Sequence, residues 1–348
     1  MDRARLVFGW LLIALILLLA RAATAQQTYD PAVTPATASA PAGLSPAPAD
    51  LPPVTPPEPA QLVRFARRAV QVGDLAQQEI ALNLDMASRY VQSGQIANES
   101  RNVIRREQRR RVEVTAVADE RIEAATISFD HSRKQSPENP DPNALAAQPI
   151  EGKSYFAQRR QKTMLVTDAS GAIPPLEEYE LVADVAQNLA KPNPLAPLLL
   201  ERPIAVGQKI LVPREAATAV LGLRDQVGTI KRFELTLTRV EPTPVVANAA
   251  AGQSTSEVAV FAARIETLPN ETTPMEFTLA GTLAVEVDSC RTVAAHFQGP
   301  VQMSTTERTR GGIFQFSAAG DLSVSIRSHY SRVEPKPAGA RFPLGFSR

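Results

Sequence analysis

One cysteine, one tryptophan and three histidines stand among 348 residues. A lone cysteine closes no intramolecular disulfide, so the fold stands on its hydrophobic core even in a compartment that permits bridges. Cys290 itself reads as a small residue at a strand end, in a turn, with no role. His131, His296 and His329 are scattered, and none sits at metal-ligand spacing from another candidate. No glycine-rich phosphate loop is present, and no Gly-x-Ser-x-Gly elbow, so a phosphate-loop site and an α/β-hydrolase serine find no support. Ser170 lies in a turn, Asp168 to Gly171, which accounts for it. Glu177 and Glu178 sit in the first turn of a predicted helix, where the macrodipole favours acids. No catalytic, cofactor-binding or metal-ligating residue is picked out, and no cofactor is called for.

A long apolar run is also scarce. The single one spans Leu6 to Ala20, about 15 residues against the roughly 20 that a membrane-spanning helix needs. Arg3 and Arg5 precede it, and Ala23-Thr24-Ala25 follows it. That is the three-part plan of a secretory signal peptide, residues 1–25, cleaved after Ala25. The expectation is an exported protein, periplasmic or extracellular. Abundant arginine and alanine fit a GC-rich bacterial genome. Without residues 1–25 the chain carries 34 basic and 35 acidic residues. A near-neutral protein has no global pull toward nucleic acid.

Residues 26–61 are rich in Pro and Ala, with ten prolines from Pro31 to Pro59. Such a segment has too little apolar mass to offset ordering entropy, and reads as an extended disordered linker. Period-two alternation then begins. Ile80, Leu82, Leu84 and Met86 alternate with polar or small residues, the mark of a strand with one wet face. Val112 and Val114 continue the pattern. A parity slip between Ala124 and Ala125 predicts a β-bulge. Short strands are predicted at 154–158 and 163–167. A helix is expected over 176–190, after Pro174 and Pro175, and a second from Pro213 to Leu221. The longest alternation runs from Met275 to Val287, with apolar residues or Gly at every odd position. It leads through a turn at Asp288–Arg291 into a second strand. Gly281 in its middle predicts a bend. The fold class is therefore mainly β (α+β): a large curved antiparallel sheet or half-barrel with one or two short helices packed on it. The β domain is placed at 62–332, as one unit or as two sub-domains of about 62–170 and 171–332, with a tail over 333–348.

The densest charge is Arg105-Arg106-Glu107-Gln108-Arg109-Arg110-Arg111. It lacks the aromatics of a nucleic-acid surface. Contact with anionic headgroups is one reading. The favoured one is a strand with arginines on its exposed face.

Four segments carry a resemblance. They are Val72-Gly73-Asp74, Arg202 to Gly207, Gly281-Thr282-Leu283 and Gly320-Asp321-Leu322-Ser323-Val324 before Arg327. Over about 72–332 the chain resembles a family of uncharacterised exported bacterial proteins built on a strand-rich domain. A long sheet with one or two helices also resembles the lipoprotein-carrier half-barrels of the bacterial envelope. The first resemblance implies a non-catalytic envelope protein, structural or interacting. The second implies a carrier of a lipid or other apolar ligand between sheet and helix, with envelope lipid or envelope protein as partner. An enzyme with a dispersed site is the third class. Converging polar groups would favour it, an apolar cavity the carrier, and a packed core with neither the module.

Overall fold

The computed structural model of the chain describes residues 61–135, 144–161, 163–189, 193–221, 229–242, 256–269, 275–309 and 312–333. The expected signal, the linker up to residue 60 and the tail from 334 lie outside them. The described elements are β1 (Leu62–Val63), β2 (Asp74–Gln92), β3 (Gln95–Ala118), β4 (Arg121–Gln135), β5 (Leu145–Ala147), β6 (Ser154–Arg160), β7 (Thr163–Asp168), α1 (Leu176–Leu189), α2 (Ala196–Leu200), β8 (Ile204–Ala205), β9 (Lys209–Leu211), α3 (Arg214–Leu221), β10 (Thr229–Pro242), β11 (Glu257–Leu268), β12 (Met275–Glu286), β13 (Thr292–Thr309) and β14 (Gly312–Arg332).

Twelve strands form one antiparallel sheet in the order β7-β6-β4-β3-β2-β14-β13-β12-β11-β10-β9, with β5 beside β4. The sheet is not closed. Its two edges are short strands, β7 of six residues and β9 of three, and β9 pairs with only Glu234, Leu235 and Thr236 of β10. The first long strand pairs with the last at the centre, from Asp74 opposite Arg332 to Gln92 opposite Phe314. β1 and β8 form a separate two-stranded ribbon.

Alternation decides which face is buried. Ile80, Leu82, Leu84 and Met86 of β2 are buried, as are Met275, Phe277, Leu279, Leu283 and Val285 of β12. The opposite face of β3 is wet and carries cross-strand ion pairs, Arg109 to Glu79 at 3.1 Å and Arg111 to Asp130 at 2.8 Å. Register shifts between β3 and β4 lie at Arg109/Arg110, Val114/Ala116 and Ala116/Val117, the last two beside Ala124, so the predicted bulge is present. Two apolar clusters form on the inner face. The larger spans β2 and β9 to β14, with β1, α2 and α3 packed on it through residues such as Phe65, Leu199 and Ala217. The smaller lies on β3, β4, β6 and β7 beneath Val182, Val185 and Ala186 of α1.

The register of β12 against β13 runs unbroken through Gly281, and the glycine there has a steric cause. A Cβ there would lie 1.8 Å from the carbonyl oxygen of His296 on β13. Gly320 on β14 has the same relation to Asp85 on β2, at 1.9 Å. At both places neighbouring backbones approach too closely for any side chain.

Asp74 opens β2 and is 5% exposed. It accepts from Arg291 at 2.7 Å and Arg332 at 3.1 Å, with Arg68 at 3.7 Å. Burial alone would raise its pKa. The hydrogen bond and charge of Arg291, helped by Gln71 and Arg332, outweigh that and hold the carboxyl below its ordinary range. This cluster ties the start of β2 to the end of β14 and to the β12–β13 turn.

Two expectations are corrected. Cys290 does sit in the Asp288–Arg291 turn, but its side chain is 1% exposed and belongs to the larger core. The turn folds inward, and Asn193 donates to the Cys290 carbonyl at 2.6 Å. The thiol is core, not incidental. The described residues also contain a third helix, α2, where one or two were expected. Pro197 fits its first turn, and Leu195 and Leu199 anchor it in the core.

Candidate functional site: a buried arginine band

Side chains on β3 alternate between water and core, so seven consecutive polar residues cannot all point outward. Ile104 and Val112 face inward, and the residues of their parity between them are Arg106, Gln108 and Arg110. All three are buried, with Arg110 1% exposed and Arg106 5%. The expected exposed arginine strand is thus half right. Arg109 and Arg111 lie outside, while Arg106 and Arg110 lie within.

These residues form a polar band across four adjacent strands, between the two apolar clusters. Ser328, Gln78 and Arg110 share one rung of the sheet, and Gln108 stands opposite Ser132 on the next. The hydrogen bonds run continuously. Gln78 donates to Ser328 at 3.2 Å. Arg110 donates through Nε to the Gln78 carbonyl at 2.8 Å and through Nη1 to that of Gln108 at 3.3 Å. Gln108 donates to Ser132 at 3.2 Å, and Ser132 to Gln148 at 3.0 Å. Polar atoms buried in this way cost little only when each has a partner.

Charge is another matter. Burial lowers the Arg110 pKa to about 9, and repulsion from Arg106 adds to the effect. Burial lowers Arg106 to about 10, against which the charge of Asp184 on α1 acts. Both stay cationic at neutral pH. Burial also pushes the Tyr330 phenol up to about 12. An apolar pair would serve stability better than two desolvated guanidinium groups, since buried ions repay their desolvation only in part. Such groups therefore mark a candidate site.

The helix over the smaller cluster is fastened by few polar contacts. Glu178 accepts from Lys153 at 2.7 Å and from the Tyr155 hydroxyl at 2.5 Å. Lys153, then Tyr155, hold the Glu178 carboxyl below its ordinary range. Gln187 donates to the Met164 carbonyl at 3.2 Å. Glu178 is thus a latch as well as a helix-start acid.

A second feature lies at the far end of the sheet. Past Met86 and Ala318, strands β13, β14, β2 and β3 run on as an arm that has one exposed face and one half-buried face carrying Tyr90, Phe314 and Phe316, and Gln95–Arg101 are all exposed. Tyr90 stacks on Phe314 with centroids 5.8 Å apart, and Ile96 is 58% exposed. A groove of about 800 Å³ at the arm's base is lined by Ala87, Arg89, Arg101, Glu276 and Gln302 among others. Arg89 pairs with Glu99 at 2.7 Å and Arg101 with Asp85 at 2.5 Å.

The other residues weighed from sequence do not converge. His131 lies 3.6 Å from both Glu107 and Glu151, while His296 and His329 sit on β13 and β14. Among the described residues no three His, Cys, Asp or Glu side chains gather as a metal would require. Ser170 donates to Asp168 at 2.6 Å within its turn. Burial pushes the Cys290 thiol up to about 11. No helix among the described residues is long and apolar enough to cross a membrane.

No family model and no curated protein matches the chain. Of solved structures, one on lipid–protein interactions in lipovitellin aligns with 78% of this chain at 8% identity and a TM-score of 0.32. The chain spans about a quarter of that one, 26%. A mutant of the TodX monoaromatic hydrocarbon channel aligns over 74% of this chain and 91% of its own, at 9% identity and a TM-score of 0.16. The Pseudomonas aeruginosa MucA/MucB complex aligns over 70% and 88%, at 9% identity and a TM-score of 0.09. Likenesses of this size carry no argument, and no family is assigned on them.

Proposed function

We propose that the chain is a non-catalytic, exported envelope protein that holds an apolar-chain ligand on the inner face of its sheet, beneath α1. One observation carries this reading. The smaller apolar cluster is roofed by a single fourteen-residue helix latched to the sheet through Glu178 and Gln187, beside a band of buried charge. The cluster is packed with α1 in place, with Ile127, Val182 and Ala186 fully buried, so a ligand enters only when the helix lifts, at the cost of a few hydrogen bonds and one apolar face and with the strand pairing intact. The signal-like residues 1–25 support export.

The test is direct. The chain is purified from its native host without detergent, and co-purifying material is extracted and identified by mass spectrometry. A stoichiometric long-chain species supports the reading. Absence of such a species, together with failure of the chain to bind a fluorescent fatty acid, would sink it.

The arm favours a second reading, an interaction module that docks through Tyr90, Ile96 and Phe314. Deleting 89–99 together with 305–316 would then abolish partner capture in envelope extracts while leaving fatty-acid binding unchanged.

A further inference from the structure

β3 is the longest strand of the sheet, and β4 covers only part of its edge. The pairing of the two begins at Arg106 opposite Lys134. From Gln95 to Arg105, about 36 Å of strand, β2 holds one side and no described strand holds the other. A row of unpaired backbone donors and acceptors of this length is a template for one more strand. Ser100 stands at its midpoint, flanked by Glu99 and Arg101, all exposed. Charge that guards an edge works by repulsion between like signs. This edge carries both signs, placed symmetrically about its midpoint. Each has a partner on β2. Arg89, opposite Glu99, lies 2.7 Å from it, and Asp85, diagonal to Arg101, lies 2.5 Å from it.

We infer that two copies of the chain associate through this edge, β3 against β3, antiparallel and with Ser100 on the twofold axis. A twofold contact needs a surface complementary to itself. In this register Glu99 stands opposite Arg101 of the second copy, twice by symmetry, and Asn98 stands opposite Asn102. Opposite charges directly across two strands stabilise the pairing. The existing ion pairs stay in place. Arg89 and Glu99 of one copy meet Arg101 and Asp85 of the other as a row of alternating sign. Slipping the register by one rung either way sets Glu99 or Arg101 against its own copy, a repulsive pair. The midpoint of the open edge and the pattern of charge thus select the same register. The ends fit as well, because each arm tip at Ser93-Gly94 stops where β4 of the second copy begins. The shift in register between Tyr90 and Val91 leaves Ala97 as the extra residue of a bulge, so the regular rungs run from Asn98 to Asn102. The contact is short, and such a pair separates on dilution. It is independent of what the inner face holds.

The purified full chain is followed by sedimentation velocity from about 100 µM down to about 1 µM, a range over which a contact of this size is expected to pass from dimer to monomer. Glu99→Arg and Arg101→Glu each turn two favourable rungs into two repulsive ones, and each is expected to weaken the dimer about tenfold or more. The double variant, Glu99→Arg with Arg101→Glu, restores opposite signs between copies while it sets like charges beside Arg89 and Asp85 within each chain. It is expected to dimerise as the wild type does. A double variant as weak as the single ones would show that these charges act only within the chain, and would overturn the inference. Cysteine pairing reads the register without touching the charges, and so decides the question should a charge variant misfold. Cys290 is buried and leaves the introduced thiol to react. Ser100→Cys is expected to give a disulfide-linked dimer on mild oxidation. Asn98→Cys alone is expected to give none, because the two positions lie about 13 Å apart along the strands, but to cross-link when mixed with Asn102→Cys. A dimer indifferent to Glu99→Arg, or a Ser100→Cys chain that does not cross-link, would overturn the inference. A chain still monomeric at about 100 µM would overturn it too, and would leave the edge to a strand of another protein.

Discussion

Replacing Asp74 by asparagine tests the carboxylate that joins both ends of the domain. The substitution keeps size and shape and removes one buried charge. Breaking a buried ion pair by removing one partner costs about 3–5 kcal/mol. That figure is discounted here, because Arg332 and Arg68 are 38% and 46% exposed and can turn to water. Arg291 is 18% exposed and lies over the Tyr330 ring at 5.0 Å, so it has less freedom. The expected loss is about 2–4 kcal/mol at pH 7. At an m-value of about 3 kcal/mol/M that moves the urea midpoint by about 1 M. The pH dependence has a definite sign. The folded pKa of Asp74 is depressed, so its contribution is present above the unfolded value of about 4 and is lost as pH falls through the folded one. The gap between wild type and Asp74→Asn should therefore narrow as pH falls below about 4. Other depressed carboxylates, Asp85 and Glu266 among them, titrate in both proteins and cancel in the difference. A loss below about 0.5 kcal/mol at pH 7, or a gap that persists in acid, would refute the account.

Three further outcomes are expected. Leu279→Asp places an unpaired carboxylate in the core and should cost about 3 kcal/mol or more, whereas Glu276→Lys, on the wet face of the same strand, should cost less than about 0.5 kcal/mol; equal tolerance in urea melts would reject the register of β12. Gly281→Ala should destabilise by about 2 kcal/mol, because the strands must part to admit a methyl group; Ala280→Ser serves as the control, and matching midpoints would show that the close approach is absent. Cys290 should resist alkylation at pH 8 in native buffer and react at once in 8 M urea at that pH; rapid labelling of the native protein would place the thiol at the surface.

The sheet was legible because each long strand has one wet face, so that Ile80 to Met86 and Met275 to Val287 declare both structure and orientation. Two of the described helices, α1 and α3, showed through their punctuation, Pro174-Pro175 and Pro213, while the five-residue α2 is too short to set up a pattern. The site did not show, because a run of arginines reads as surface unless it is placed in register. Ile104 and Val112 held that register, and parity from either would have put Arg106 and Arg110 inside. The inward path of the Cys290 turn depends on Asn193, 97 residues away, and no local pattern encodes such a contact. The pairing of β2 with β14 is still more remote, and a single sequence holds no trace of it.

That central pairing sets an order of events during folding. Strands on either side of it are joined mostly to near neighbours in the chain, so each wing is an assembly of local contacts that forms early. The junction between the wings waits for residues 312–332, the last of the described strands in chain order. Closing a loop of roughly 200 residues costs about 3 kcal/mol more than closing a hairpin turn, if the loop is flexible. Until that happens two long strands present unpaired backbone along their whole lengths, an invitation to pair with another copy. A chain delivered across a membrane from its N-terminus would remain open at the middle until its C-terminal strand emerged. Truncation after residue 311 would then leave two formed wings with nothing to join them.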